Sequence, residues 1–236
     1  IRRERTLASL RSEFVANVSH ELRTPVSSLL LMSENLQHGR VKTPEERERY
    51  YSLMQREARR LARLVDDVLD VARMERGRPS SHQPEDTAIA EWFDALAREA
   101  NEYAQAHRME LSVRSEALSG LHADIDRESL RRAVLNLLDN ARKHGGGQIE
   151  LCASAQGPRW TIVVRDRGPG LDPAEHARAF EPYWRSPRAQ AAGAGLGLSI
   201  VRSIAQRHGG SVQLLSPSTG SGLEVQLQLP LTEPSR

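Results

Sequence analysis

The segment Ser19-His20-Glu21-Leu22-Arg23-Thr24-Pro25 sets an imidazole beside a carboxylate, with a hydroxyl one helical turn further on. At about 100° per residue His20 points away from Val18 and Leu22, Thr24 shares its face, and Glu21 comes next round the helix. A solvent-facing imidazole is largely neutral near pH 7 and is a nucleophile in that form. Attack on a phosphoryl group uses one ring nitrogen, and the proton on the other becomes more acidic as the bond forms. Glu21 is placed to hold that tautomer and take up the proton. A single exposed histidine is more often a bystander, so the role of His20 depends on what the rest of the chain brings to it.

The rest of the chain carries residues suited to phosphate. Asp126 caps a helix running from Arg127 to His144, with an apolar stripe of Leu130, Val134, Leu137 and Ala141. Asn136, Asn140, Lys143 and His144 fall together on another face, roughly a third of a turn away. Amide oxygens are hard ligands that suit Mg²⁺, and an ammonium neutralises phosphate. By itself such a stripe is more often a plain polar surface, and two glycine-rich turns weigh against that reading. Asp166-Arg-Gly168-Pro-Gly170-Leu171 follows a strand-like run. Its glycines let backbone approach a flat ligand, and a buried Asp reads an exocyclic amine. Gly193-Ala-Gly195-Leu196-Gly197-Leu198-Ser199 opens a helix whose free N–H groups suit a phosphate.

Two kinds of element must position these groups. Leu7, Leu10, Phe14, Val18, Leu22, Val26, Leu29 and Leu36 predict one long helix, kinked at Pro25. Residues 38–44 are a turn. Thr43, Pro44 and Glu46 then form the start signal of a second helix with Tyr50, Leu53, Leu61, Leu64, Val68 and Val71 on one face. An antiparallel hairpin with a single apolar stripe is best covered by a second copy, which predicts a homodimeric four-helix bundle. Residues 1–77 are therefore read as an all-α hairpin and 78–86 (RPSSHQPED) as a linker. Residues 87–236 are read as an α/β sandwich, a sheet with helices over one face. Helices are expected near 91–107, 127–144 and 197–208. Strands are expected at 111–113, 148–153, 160–165, 211–215 and 223–229.

The 236 residues are 39% hydrophobic and 27% charged, enough for one large or two small cores. Basic residues (33) and acidic residues (31) nearly cancel, which argues against a nucleic-acid binder despite a pI near 9.0. The single cysteine, Cys152, excludes an internal disulfide and a Cys-based zinc site. No apolar run approaches the length of about 20 residues that spans a bilayer. The chain starts inside a helical pattern without Met, which points to a missing upstream region. Arg2, Arg3, Arg5 and Arg11 fit either a juxtamembrane position or an ordinary helix surface.

The stretch Phe14-Val-Ala-Asn-Val-Ser-His-Glu-Leu-Arg-Thr-Pro resembles the H-box of two-component sensor histidine kinases almost residue for residue. NLLDNARKH, DRGPGL, FEPYWR and GAGLGLSIV resemble the N, G1, F and G2 boxes of the same family, in family order. The likeness covers about residues 7–230, and the wider group includes gyrase-type and Hsp90-type ATPases. It implies that His20 is phosphorylated, that Glu21 is its acid–base partner, and that Thr24 positions water for dephosphorylating a response regulator. It implies that Asn140 holds Mg²⁺ with Asn136 close by, and that Lys143 and His144 contact ATP. Asp166 would read the adenine amino group, with Gly168 and Gly170 shaping its pocket. Residues between Phe180 and Gly193, Arg185 among them, would form a lid, with Trp184 and Tyr183 as its packing residues. Gly193, Gly195, Leu196, Gly197 and Leu198 would wrap the phosphates. A receiver domain is the implied partner, and the cytoplasmic part of an inner-membrane-anchored bacterial protein is the implied location.

Two departures from the family stand out. Leu223 follows Gly222 where a Thr or Ser is common, so one polar contact to the base is lost or comes from Ser221. The lid is short and Ala-rich. A nucleotide-binding scaffold without chemistry and a gyrase-like ATPase are the rival readings. Intact His20, Glu21, Asn140 and Asp166 weigh against the first, and the His20 hairpin against the second.

Overall fold

The computed structural model describes residues 2–75, 82–188, 194–216 and 221–232. Helix α1 (Arg2–Gln37) and helix α2 (Pro44–Glu75) form the hairpin. The α2 start is a closed capping box. The Glu46 N–H donates to Thr43 Oγ1 at 3.1 Å, while Glu46 Oε2 accepts from the N–H groups of Thr43 and Lys42. Val41, 5% exposed, seals the turn. Helix α1 runs through Pro25, which is buried. Proline has no N–H, so the Glu21 carbonyl loses its helical donor at that point.

The second body is a five-stranded sheet in the order β2-β4-β5-β7-β6. Its strands are β2 (Glu110–Glu116), β4 (Gln148–Gln156), β5 (Arg159–Asp166), β6 (Ser211–Leu215) and β7 (Glu224–Pro230). β2 pairs parallel to β4 and the remaining pairs are antiparallel. Alternate residues of β4, β5 and β7 are buried on one face, among them Leu151, Ile162 and Leu227 at 0% exposure. Helices α3 (Ile89–Ala106), α4 (Arg127–His144) and α5 (Gly197–Arg207) supply the opposing layer through Phe93, Leu96, Leu130, Leu138, Ile200 and Ile204. Trp92 and Trp160 meet edge-to-face across it at 5.9 Å.

The architecture is the expected one, a helical hairpin followed by an α/β sandwich, with one boundary displaced. The last two residues of the stretch read as linker, Glu85 and Asp86, open strand β1 (Glu85–Ala88), which pairs antiparallel with β3 (His122–Ile125); neither strand is among those expected from the sequence. The chain is fastened just before β1. The Gln83 N–H donates to Asp126 Oδ2 at 3.4 Å, and the His82 ring stands edge-on to His208 at 4.6 Å. His208 is 5% exposed. Its Nδ1–H donates to the Ile204 carbonyl at 2.8 Å, and Nε2 accepts from the Asp126 N–H at 3.0 Å, so the ring is neutral with both nitrogens used. Among the described residues no helix is long and apolar enough to cross a membrane.

Candidate functional site

His20 lies exposed on α1, and its imidazole makes no hydrogen bond to any described residue. The hydroxyls on either side turn back along the helix. Ser19 Oγ donates to the Val15 carbonyl at 2.6 Å and Thr24 Oγ1 to the His20 carbonyl at 3.3 Å. Glu21 is half-buried, and its Oε1 is buried with no hydrogen-bond partner among the described residues. The structure thus leaves the imidazole open to a reactant, but it does not join Glu21 to His20 by a hydrogen bond.

Helix α4 carries the second group of residues because its N-terminus is firmly capped. Asp126 Oδ1 accepts from the Ser129 N–H at 3.0 Å and Oδ2 from the Ser129 hydroxyl at 2.8 Å. Burial alone would raise the Asp126 pKa, but these bonds hold its carboxyl below the usual range. Two turns on, Asn136 is half-buried with Nδ2 buried and unpartnered among the described residues. An orphaned amide donor of this kind is what a ligand would satisfy. One turn beyond, the Asn140 amide sits against the start of α5, where a Cβ on Gly197 would lie 3.3 Å from Asn140 Nδ2. The fold therefore brings together the amides of one motif and the helix N-terminus of another. The first turn of α5 has no side-chain cap, which leaves backbone N–H groups aimed at the space beside Asn140.

The glycine-rich turn after β5 is pressed on backbone from two directions. A Cβ on Gly168 would lie 2.1 Å from the His144 carbonyl, and one on Gly222 would lie 1.9 Å from the Asp166 carbonyl. Gly170 has φ +72°, with the Gly222 carbonyl 2.6 Å from its Cβ position. Asp166, 8% exposed, accepts on Oδ1 from the N–H groups of Gly168 at 2.8 Å and Leu223 at 3.2 Å. Its other oxygen has no partner among the described residues. Burial pushes its carboxyl up, against the pull of those two N–H groups. At the departure noted at position 223, the backbone N–H of Leu223 serves Asp166, while the Ser221 hydroxyl donates to the Arg167 carbonyl at 3.4 Å.

Several expected contacts take other roles here. Lys143 Nζ is paired with Asp139 Oδ2 at 2.8 Å instead of standing free beside Asn140. Asp139 also accepts from Tyr103 Oη and Arg142, each at 2.8 Å. These donors overcome burial and hold its carboxyl far below the usual range, while burial and Asp139 push the Tyr103 hydroxyl up to about 12. Partial burial, with the charges of Lys143 and Arg185, lowers the His144 pKa. Phe180, 9% exposed, and Leu196, 3% exposed, belong to the core and shape the site from behind. Arg202 lies over the Phe180 ring at 5.8 Å. Trp184 is 8% exposed under Arg178, and Tyr183, with φ 72°, donates its N–H to the Gly195 carbonyl at 3.0 Å. Both pack as expected. Leu198 is half-buried on the first turn of α5, and Gly193 lies outside the described residues.

Comparison with known proteins follows this geometry. Residues 10–77 match the family model "His Kinase A (phospho-acceptor) domain". Residues 125–233 match "Histidine kinase-, DNA gyrase B-, and HSP90-like ATPase". The alginate biosynthesis sensor protein KinB of Pseudomonas aeruginosa is 35% identical over 237 residues, 97% of this chain but 38% of KinB. The crystal structure of full-length ShkA in complex with AMPPNP is 30% identical, with TM-score 0.64 over 95% of this chain and 47% of ShkA. Histidine kinase ThkA in complex with the response regulator TrrA shares the fold, with TM-score 0.61 at 20% identity over all of this chain and 66% of that one. A phospho-acceptor hairpin followed by a nucleotide-binding sandwich is the order found here, and the chain belongs to the two-component sensor histidine kinases, a family of protein-histidine kinases.

Proposed function

We propose that this chain binds ATP in its second domain, moves the γ-phosphoryl group to His20, and passes it to an aspartate on a response-regulator receiver domain. The observation that carries this reading is that helix α4 meets the α5 N-terminus at Asn140 and the Asp166 turn at His144 and Gly145, on a chain whose His20 stands open to solvent. Asp166 offers its unpartnered oxygen to the adenine amine, and Gly168, Gly170 and Gly222 let main chain pack closely around that carboxylate. The α5 N–H groups take phosphate oxygens. Mg²⁺, which would neutralise phosphate charge, fits the Asn140 amide oxygen, with Asn136 beside it. Among the described residues no cluster of three His, Cys, Asp or Glu offers a rival metal site. Lys143 would have to leave Asp139 to reach a phosphate.

In the transfer, a neutral His20 nitrogen bonds to the γ-phosphorus as the bond to the ADP oxygen breaks. The proton on the other ring nitrogen passes to Glu21 or to water. Val15, Val26, Leu30, Leu31, Tyr51, Val65 and Leu69 are exposed apolar residues of the hairpin and support a homodimeric four-helix bundle. Phosphatase action toward the regulator, with Thr24 placing water, belongs to the same reading, as does anchoring in the inner membrane through upstream sequence. The domain limits we propose are 1–77, a linker from 78 and ending before Glu85, and the remainder.

Incubation with γ-labelled ATP and Mg²⁺ tests the reading. The chain is expected to take up label that is acid-labile and base-stable, and His20→Gln to take up none. Label that persists in His20→Gln would move the acceptor elsewhere.

A further inference from the structure

Tyr103, Arg142 and Lys143 converge on one carboxylate at the flank of the stripe that carries Asn136 and Asn140. Asp139 falls about 60° round α4 from Asn136, beside the face of the amides. Its two oxygens are served differently. Oδ1 accepts from Tyr103 Oη at 2.8 Å and from Arg142, whose Nη2 stands at 2.8 Å and Nε at 3.0 Å. Arg142 Nε also donates to Tyr103 Oη at 3.3 Å, which closes a triangle. Among the described residues Oδ2 holds only Lys143 Nζ, at 2.8 Å. Asp139 and Lys143 are 33% and 27% exposed, so the ammonium can leave without opening a cavity. Tyr103 is held where it is. It packs on the core, the His107 ring lies 4.3 Å from its own, and His107 Nδ1–H donates to the Tyr103 carbonyl at 2.8 Å.

The choice of cation at 143 matters. Lys143 and Lys42 are the only two lysines among 33 basic residues. A guanidinium grips a carboxylate through two parallel hydrogen bonds, whereas an ammonium is a point charge that exchanges one anion for another. When Lys143 leaves Oδ2, the Asp139 charge is not stranded. Tyr103 and Arg142 still give Oδ1 three hydrogen bonds. A half-buried carboxylate stripped of its sole partner would resist that release.

We infer that Tyr103 and Arg142 are positioning residues for ATP: by sharing the charge of Asp139 they hold Lys143 in reserve beside Asn140 and ease its transfer to a phosphate oxygen. The inference rests on the ATP site proposed above. The plainer alternative is that the cluster only fastens α3 to α4.

The test uses the whole chain with Tyr103→Phe, Asp139→Asn, Lys143→Met, and Tyr103→Phe combined with Lys143→Met. Affinities for ATP with Mg²⁺ and for adenosine are read by calorimetry. The Cε signals of ¹³C-lysine-labelled protein, one from each lysine, are followed by NMR. Without the phenol Asp139 pulls harder on Lys143, so Tyr103→Phe is expected to bind ATP about three- to fivefold more weakly and adenosine as the parent does. In the Lys143→Met background the same substitution should change ATP affinity by less than about 1.5-fold. Asp139→Asn, without ligand, should move the Lys143 signal toward that of exposed Lys42. Equal losses for ATP and adenosine, or the same loss with and without Lys143, would establish a packing role and overturn the inference. ATP binding by Tyr103→Phe that matches the parent, or a Lys143 signal unmoved in Asp139→Asn, would overturn it too. If the parent binds no ATP, or Lys143→Met binds it like the parent, the site assignment itself fails and the inference with it. Where Lys143→Met loses affinity, Tyr103→Phe judges the inference alone.

Discussion

Gly168→Ala tests the base pocket at its tightest point. The new Cβ would stand 2.1 Å from the His144 carbonyl oxygen and 2.9 Å from the Gly145 Cα, and both neighbours are backbone. Even the closest approach that Cβ atoms tolerate, 3.0 Å, is 0.9 Å longer than the distance available (3.0 − 2.1). Either the 166–170 turn or the end of α4 must therefore move by about 1 Å. Overpacking of this kind costs about 1–3 kcal/mol, and a domain of this size loses about 2–4 °C of Tm per kcal/mol. A displacement of about 1 Å at a positioning backbone also weakens function by on the order of 10²-fold, so ATP affinity is expected to fall by one to two orders of magnitude. Thermal unfolding and calorimetric titration with ATP read the two effects. Gly197→Ala is the internal control. There the Cβ meets only the flexible Asn140 amide at 3.3 Å, alanine favours the helix, and Tm should stay within about 1 °C of the parent. A Gly168→Ala protein that melts and binds ATP like the parent would show that the two backbones are not in contact and would sink the account of the pocket.

Asp166→Asn is expected to keep the fold and lose ATP binding by roughly ten- to a hundredfold. The amide oxygen must stay on the Gly168 and Leu223 N–H groups, which turns the new NH₂ toward the adenine amine, donor against donor. Inosine triphosphate, with a carbonyl at that position, should lose less, and equal losses for both nucleotides would refute the assignment. His208 carries a pH dependence. Its folded pKa is lowered by burial, so the stability it contributes is present above the unfolded value of about 6.5 and is lost as pH falls below it. Melting temperatures of the parent should drop between pH 7 and 5, and His208→Gln should flatten that slope; parallel slopes would contradict it. Tyr103 works on the alkaline side. With its folded pKa raised to about 12, its contribution is complete below about pH 10 and disappears as pH climbs toward 12. Tyr103→Phe should remove that alkaline loss, which denaturant titrations at pH 9 and 11 would detect.

What sequence reveals about this molecule follows the range of its signals. Helix α4 was legible to its last residue because its apolar stripe repeats over eighteen positions and Asp126 and Gly145 bound it. Strands β4 and β5 showed through because one face of each is buried. Strands β1 and β3 were not legible. Each has four residues, too few for a period, and Glu85 pairs with Ile125 across 40 positions. Spacing placed Lys143 with Asn140, but Asp139, four residues before Lys143 on the same helix, takes the ammonium instead, a pairing that helix spacing equally allows. The Asn140–Gly197 contact, by contrast, is a product of tertiary packing, to which a pattern along one element is blind.

The crowding of Gly145, Gly168 and Gly222 has a consequence for inhibitors. If the adenine lies against Asp166 as proposed, a compound that occupies only that slot would meet main chain and one carboxylate, so few substitutions could exclude it without also evicting ATP or spoiling the fold. On the proposed assignment, escape variants would arise at side chains beside the slot, Asn136, His144 or Arg185. A chemist who keeps a molecule small and deep in that slot leaves mutation little to work with, and each extension toward the rim gives it another position to exploit.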